Sequence, residues 1–118
     1  NGFSVKNSAS FSKDKGKMLE NLVFLSLRRK YKDIFYFREK SECDFLIKQN
    51  EKIVEVIQVC YELNEDNKER EINGLVEAMI KFKLKEGLIL THNQEDKFTI
   101  EDKMIKAIPA WKWLLEES

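Results

Sequence analysis

The sequence has no excess of either charge. Lysine plus arginine number 21 and aspartate plus glutamate number 21, so the formal net charge is zero and the pI is near 6.8. Nucleic-acid-binding modules usually carry a basic excess, so any contact with DNA here requires a local patch or help from another domain. Cysteine is scarce. Cys43 and Cys60 have neither a metal-ligand spacing nor a disulfide framework, and they read as reduced, buried thiols of a cytosolic protein. Only four glycines are present, and they form no glycine-rich phosphate loop, so no ATP site is expected within the chain. No apolar run approaches the roughly 20 residues of a membrane-spanning helix, and no signal-peptide pattern is visible. These absences point to a cytoplasmic chain with no membrane partner.

What is present suits a packed globule. The chain has 118 residues, 42% of them hydrophobic, enough for one core and too few for two domains. It opens NGFSVKNSAS, without methionine. That opening reads as a piece cut from a longer protein, with part of the function outside this chain. Residues 1–13 are polar and serine-rich, the signature of a linker. A single domain is expected over residues 14–118.

Hydrophobic periodicity and turn residues divide that domain into nine elements. A first helix is expected over about residues 15–31. From Met18 to Leu27 it is apolar on nearly every side, which predicts a helix buried all round. Its basic tail, Arg28, Arg29 and Lys30, suits a helix C-terminus and reads, with Lys32, as a solvated end. Strands follow over residues 34–38, 43–48 and 52–61, the last two around the turn signal Gln49-Asn50-Glu51. Asp66 and Glu69 have the spacing of a capping box ahead of a second helix over about residues 68–83. Ile72, Leu75, Val76, Met79 and Ile80 give that helix an apolar stripe that should lie on a sheet. GLILTH, residues 87–92, is a continuous apolar run typical of a central strand. A final hairpin turns at Glu101-Asp102, and Pro109 starts a short last helix. The order αβββαβββα implies an α/β or α+β domain, with one mixed sheet of five or six strands flanked by helices.

Polar residues inside apolar segments are the candidate site. Glu20 shares a helical stripe with Phe24 and Leu27. Asp44 lies on the second strand, and Glu55, Gln58 and Cys60 on the third. A hairpin near Asn50 brings Asp44 opposite a residue between Glu55 and Gln58. Oxygen-bearing side chains from three segments could then converge. Mg²⁺ or Mn²⁺ is held by one or two carboxylates plus waters in such an arrangement, and a metal held there activates water against a phosphodiester. The bland alternative is a buried polar network tied to backbone amides or to Arg38 or Arg70. His92, the single histidine, reads as a satisfied or solvent-facing residue at a strand end. Trp111 and Trp113 read as packing anchors, or as a docking patch.

That order of acids resembles the PD-(D/E)XK nuclease-like superfamily, the restriction-endonuclease-like fold. More specifically, the chain resembles the uncharacterised C-terminal domain that follows AAA+-type ATPase modules in archaeal and bacterial proteins. The stretches that carry the resemblance are GKMLENLVFLSLRR, FYFREKSECDFLI, IVEVIQVCYEL, REINGLVEA, GLILTH and IPAWKWLL. They cover about residues 15–115 in order. The resemblance assigns Glu20 to the helix glutamate, Asp44 to the strand aspartate, and Gln58 and Cys60 to the (D/E/Q)-x-K positions. Here the chain departs from the pattern. Gln58 offers a metal only a neutral carbonyl oxygen, and Cys60 replaces the lysine that would stabilise charge in the transition state. Lys68 or Arg70 would have to supply a cation from elsewhere.

Three functions follow from this resemblance. The first is a non-catalytic accessory domain that contacts the ATPase module upstream of it or a macromolecular client. The second is a metal-dependent DNA nuclease that uses Glu20, Asp44 and Gln58 with Mg²⁺ or Mn²⁺. The third is a protein–protein interaction module that shares the layout without the chemistry.

Overall fold

The computed structural model describes the backbone of residues 8–38 and 42–117, and the side chains of residues 14–35 and 45–116. Three helices and six strands follow in the expected order: α1 (Ser8–Lys30), β1 (Asp33–Arg38), β2 (Glu42–Gln49), β3 (Lys52–Val59), α2 (Lys68–Lys81), β4 (Glu86–Thr91), β5 (Asp96–Ile100), β6 (Lys103–Pro109) and α3 (Ala110–Glu117). One mixed sheet runs β1-β2-β3-β4-β6-β5. Antiparallel pairs lie at both sides of it, and β3, β4 and β6 run parallel through its middle.

Local chemistry explains the turns. Gln49 pairs with Lys52, which leaves a two-residue loop, Asn50-Glu51. Both loop residues have positive φ, 52° and 68°. That is the backbone of a type I′ turn, whose twist matches a β-hairpin, and asparagine at its first position tolerates it. The turn at Glu101-Asp102 also opens on a positive φ, 56° at Glu101.

The start of α2 differs from the expected capping box. The N-cap is Asn67, one residue later than Asp66, so Glu69 is too early in the helix to reach back. Asn64 takes over instead. Its Oδ1 accepts the amides of Asp66 and Asn67, and its carbonyl accepts that of Lys68. The C-terminus of α2 is a Schellman motif: Leu84 N–H donates to the Met79 carbonyl and Lys83 N–H to that of Ile80. Lys83 holds the left-handed position at φ 59°. Lys83→Gly is therefore expected to stabilise the domain by about 0.5–1 kcal/mol, measured by urea unfolding.

The helices make three layers with the sheet. On one face α2 packs over β2, β3 and β4. Its Ile72, Leu75, Ala78 and Met79 bury against Leu46, Val56, Ile89, Ile105 and Ala107. The approach is close at Gly87, where a Cβ would lie 2.9 Å from Met79 Sδ and 3.0 Å from Leu75 Cγ. On the other face α1 and α3 bury Val23, Leu27, Ala110 and Trp113 against Phe45, Ile47, Ile57, Leu90 and Ile108.

Four expectations are corrected. α1 begins at Ser8, so part of the segment read as linker is helical. α1 is not buried all round: Met18, Leu22 and Leu25 are about half exposed or more, because only one side of this outer-layer helix meets the sheet. Ile80 lies off the stripe of α2 and is 59% exposed. Helical geometry rotates it roughly 80° from Ile72, past the edge of the packed face. Pro109 closes β6, paired with Thr91, rather than opening the last helix.

Candidate functional site

The β2–β3 register decides which polar residues can meet. Phe45 pairs with Ile57 and Leu46 with Val56. Extended by one residue, this register sets position 44 opposite Gln58. The side chain of Asp44 lies outside the described residues, as does that of Arg38.

Gln58 is buried, and its side chain is on the α2 side of the sheet. Its Nε2 donates a 2.9 Å hydrogen bond to Oε1 of Glu71, on the first turn of α2. Glu71 is largely covered, with a side chain 15% exposed, and its Oε2 lies 3.4 Å from Nη2 of the exposed Arg70. Arg70 thus reaches the candidate site through Glu71. Lys68 does not: its Nζ sits over the Phe98 ring, 4.9 Å from the centroid.

Cys60 follows β3 and is half-buried. Its Sγ lies 3.4 Å from the Glu62 carbonyl and 3.7 Å from Nδ2 of Asn67. The same Asn67 amide donates to the Glu62 carbonyl at 2.9 Å. The thiol is therefore part of a local tie between the end of β3 and the start of α2. A second tie joins this loop to the one after β4. The Gln94 side chain accepts from Leu63 N–H at 2.7 Å and donates to its carbonyl at 3.0 Å. Gln94 is held in turn by the buried Thr91 hydroxyl, which donates to the Gln94 carbonyl and accepts its amide.

Glu20 approaches from the other side of the sheet. It is half-buried on α1, in a groove of about 610 Å³ that Lys17, Asn21 and Phe24 also line. One turn on, Phe24 stacks on Phe45, whose side chain belongs to the cluster under α1. The helix that carries Glu20 and the helix whose glutamate takes Gln58 thus cover opposite faces. Among the described residues no three His, Cys, Asp or Glu side chains form a metal-holding group. Glu71 is the residue that sequence reasoning missed. Only a polar position on the sheet-facing turn of an amphipathic helix hinted at it.

Of the remaining candidates, His92 follows the carboxyl end of β4, and the basic end of α1 precedes β1. His92 is exposed, and its ring stacks on Tyr61 at 4.6 Å. Lys15 Nζ lies 5.5 Å from the Tyr61 ring. Trp113 is a core residue, as one of its readings held, whereas Trp111 is 53% exposed and donates to Asn93 Oδ1 at 3.3 Å. Lys112 bonds Glu95 Oε2 at 2.8 Å, and that hydrogen bond raises the lysine pKa above its usual value. Arg28, Arg29, Lys30 and Lys32 are all exposed.

Residues 15–113 match a family described as a domain of unknown function, DUF4143. The chain belongs to this family. The DUF4143 domain is also 50% identical, over 119 aligned positions, to an uncharacterised protein of Methanocaldococcus jannaschii. That match covers 92% of this chain and 26% of the relative, so the chain spans about a quarter of the length of the curated relative. Within the DUF4143 domain no helix of the described residues is long and apolar enough to cross a membrane.

Proposed function

We propose that this domain is a non-catalytic accessory module of a cytoplasmic AAA+-type ATPase, built on a degenerate PD-(D/E)XK nuclease-like fold and used for macromolecular contact. The observation that carries this reading is the state of Gln58 and Cys60. At those positions the nuclease pattern has a metal-binding acid or amide and a charge-stabilising lysine. Here a buried amide is held by Glu71, and a thiol is tied to Asn67 and the Glu62 carbonyl. Losing one such electrostatic contributor costs about 10²–10³ in rate, and a fold outlives the chemistry it once carried. Exposed Met18, Leu22, Leu25, Trp111 and Leu115 offer apolar surface on α1 and α3 for the contact itself. The ATPase module of the same polypeptide is the partner this reading favours.

A metal-dependent DNA nuclease is the second reading. One observation favours it: Glu71 places a carboxylate beside Gln58, opposite which the extended register sets position 44. Titration with Mg²⁺ and Mn²⁺, followed by NMR at Glu20, Asp44, Gln58 and Glu71, separates the two, with a DNA cleavage assay on the same sample. The accessory reading expects no saturable perturbation up to millimolar metal and no cleavage. Cleavage that Asp44→Ala abolishes would establish the nuclease.

A further inference from the structure

The face of the sheet under α1 and α3 is only half covered. α3 leaves the carboxyl end of β6 and has eight residues, a length of about 12 Å, whereas the seven residues of β6 span about 23 Å. Its Ala110 and Trp113 accordingly pack near Leu90 and Ile108, toward the carboxyl ends of the parallel strands. Toward the amino ends the face is open, as a shallow groove of about 390 Å³. Parallel strands in α/β proteins ordinarily have helices on both faces. Here Met104 is 43% exposed, although its strand lies inside the sheet.

Two rows of side chains make the floor of this groove. Strand alternation puts Glu86 and Leu88 on the side of Leu90, and Met104 and Lys106 on the side of Ile108. Leu88 lies beside Lys106, which is opposite Lys97 on β5, and Glu86 lies beside Met104. The groove thus has an apolar centre, Leu88 and Met104, and a pair of lysines along its β5 side. Like charges placed opposite each other destabilise a strand pair. Among the described residues no ion pair or hydrogen bond engages the ammonium group of Lys97 or Lys106.

We infer that a helix from the part of the polypeptide outside this chain docks in the groove, with an apolar stripe on Leu88 and Met104 and a carboxylate against Lys97 and Lys106. This inference rests on the reading that the rest of the polypeptide is the partner. Proteins of this kind have chain to supply it: the Methanocaldococcus jannaschii relative is matched over only 26% of its length. A helix here continues the layer of α1 and α3 beyond the end of α3 and gives the parallel strands their missing cover. A second sheet does not fit, because it would run into both helices. An added strand is not favoured either, since at the free edge of β5 the Asp96 Oδ1 already accepts Lys97 N–H at 2.8 Å. The unpaired lysines select an acidic flank on the helix, because a carboxylate between them removes their mutual repulsion.

Methionine oxidation tests this, because the three methionines of the chain report on three places. Met104 lines the groove, Met18 is exposed on α1, and Met79 is buried between α2 and the sheet. Hydrogen peroxide is applied to the 118-residue chain and to the full polypeptide, and each methionine is followed by mass spectrometry. In the full polypeptide Met104 should oxidise at least about tenfold more slowly than in the isolated chain, since oxidation follows exposure. Slow oxidation of Met79 in both verifies folding. Lys97→Glu/Lys106→Glu in the full polypeptide should return Met104 to the isolated-chain rate. The double reversal keeps the cross-strand repulsion as it was, so it changes the docking charge and not the strand pairing. Equal Met104 rates in the two proteins would overturn the inference. Protection of Met18 alone would overturn it while leaving contact with the rest of the polypeptide standing, and protection of neither would count against that reading too. Protection of Met104 that survives the reversal, or that is lost on dilution as a second copy would make it, would also overturn the inference.

Discussion

Replacing Gln58 with glutamate is expected to destabilise the domain by about 3 kcal/mol at neutral pH. The substitution is nearly isosteric but sets a second carboxylate against Glu71, at a place now bridged by a 2.9 Å hydrogen bond. Like charges at that separation cannot both ionise without cost, so the folded-state pKa of the pair rises above the unfolded value. The sign follows. The folded state binds the proton more tightly than the unfolded chain, so the penalty is full above the raised pKa. It is relieved as pH falls toward about 4.3, the ordinary glutamate value. Millimolar Mn²⁺ is expected to recover part of the loss, because two adjacent carboxylates form a ligand pair for a hard cation. Adding Glu71→Gln exchanges donor and acceptor across the same bond, and the double variant should return close to wild-type stability. Urea unfolding between pH 4 and 8 checks all three. A loss that Glu71→Gln does not reverse would mean that the two side chains do not meet.

Trp113→Ala is expected to cost about 3–5 kcal/mol, enough to unfold much of the population of a marginally stable domain. Trp113 is 4% exposed and fills the space between α1 and the sheet, beside Val23, Leu27, Leu90 and Ile108. A short α3 cannot compensate for its removal, since the cavity would be bounded by secondary structure from three directions. Trp111→Ala, two residues away, should cost about 1 kcal/mol or less, because that ring is half exposed and gives up a single 3.3 Å hydrogen bond. Comparing the two by chemical denaturation separates the packing tryptophan from the surface one. Equal losses would show that α3 is held differently. The contrast also governs any test of surface contacts. Deleting residues 109–118 would remove the core anchor, so such tests belong on Trp111 and Leu115.

The sequence alone determined the order and kind of every element. These are set by local rules: alternation in strands, an apolar stripe in α2, and asparagine where the β2–β3 turn requires positive φ. It also marked Gln58 and Cys60 as departures from a nuclease pattern, because residue identity needs no coordinates. Glu71 was not legible. It meets Gln58 across 13 positions of chain, and only the packing of α2 on β3 decides that meeting. The face on which each helix lies was equally hidden. Composition made α1 appear buried all round, since an apolar helix reads alike in the middle of a core and in an outer layer with its far side bare. Tertiary structure settled that difference, because burial depends on how many neighbours surround a helix.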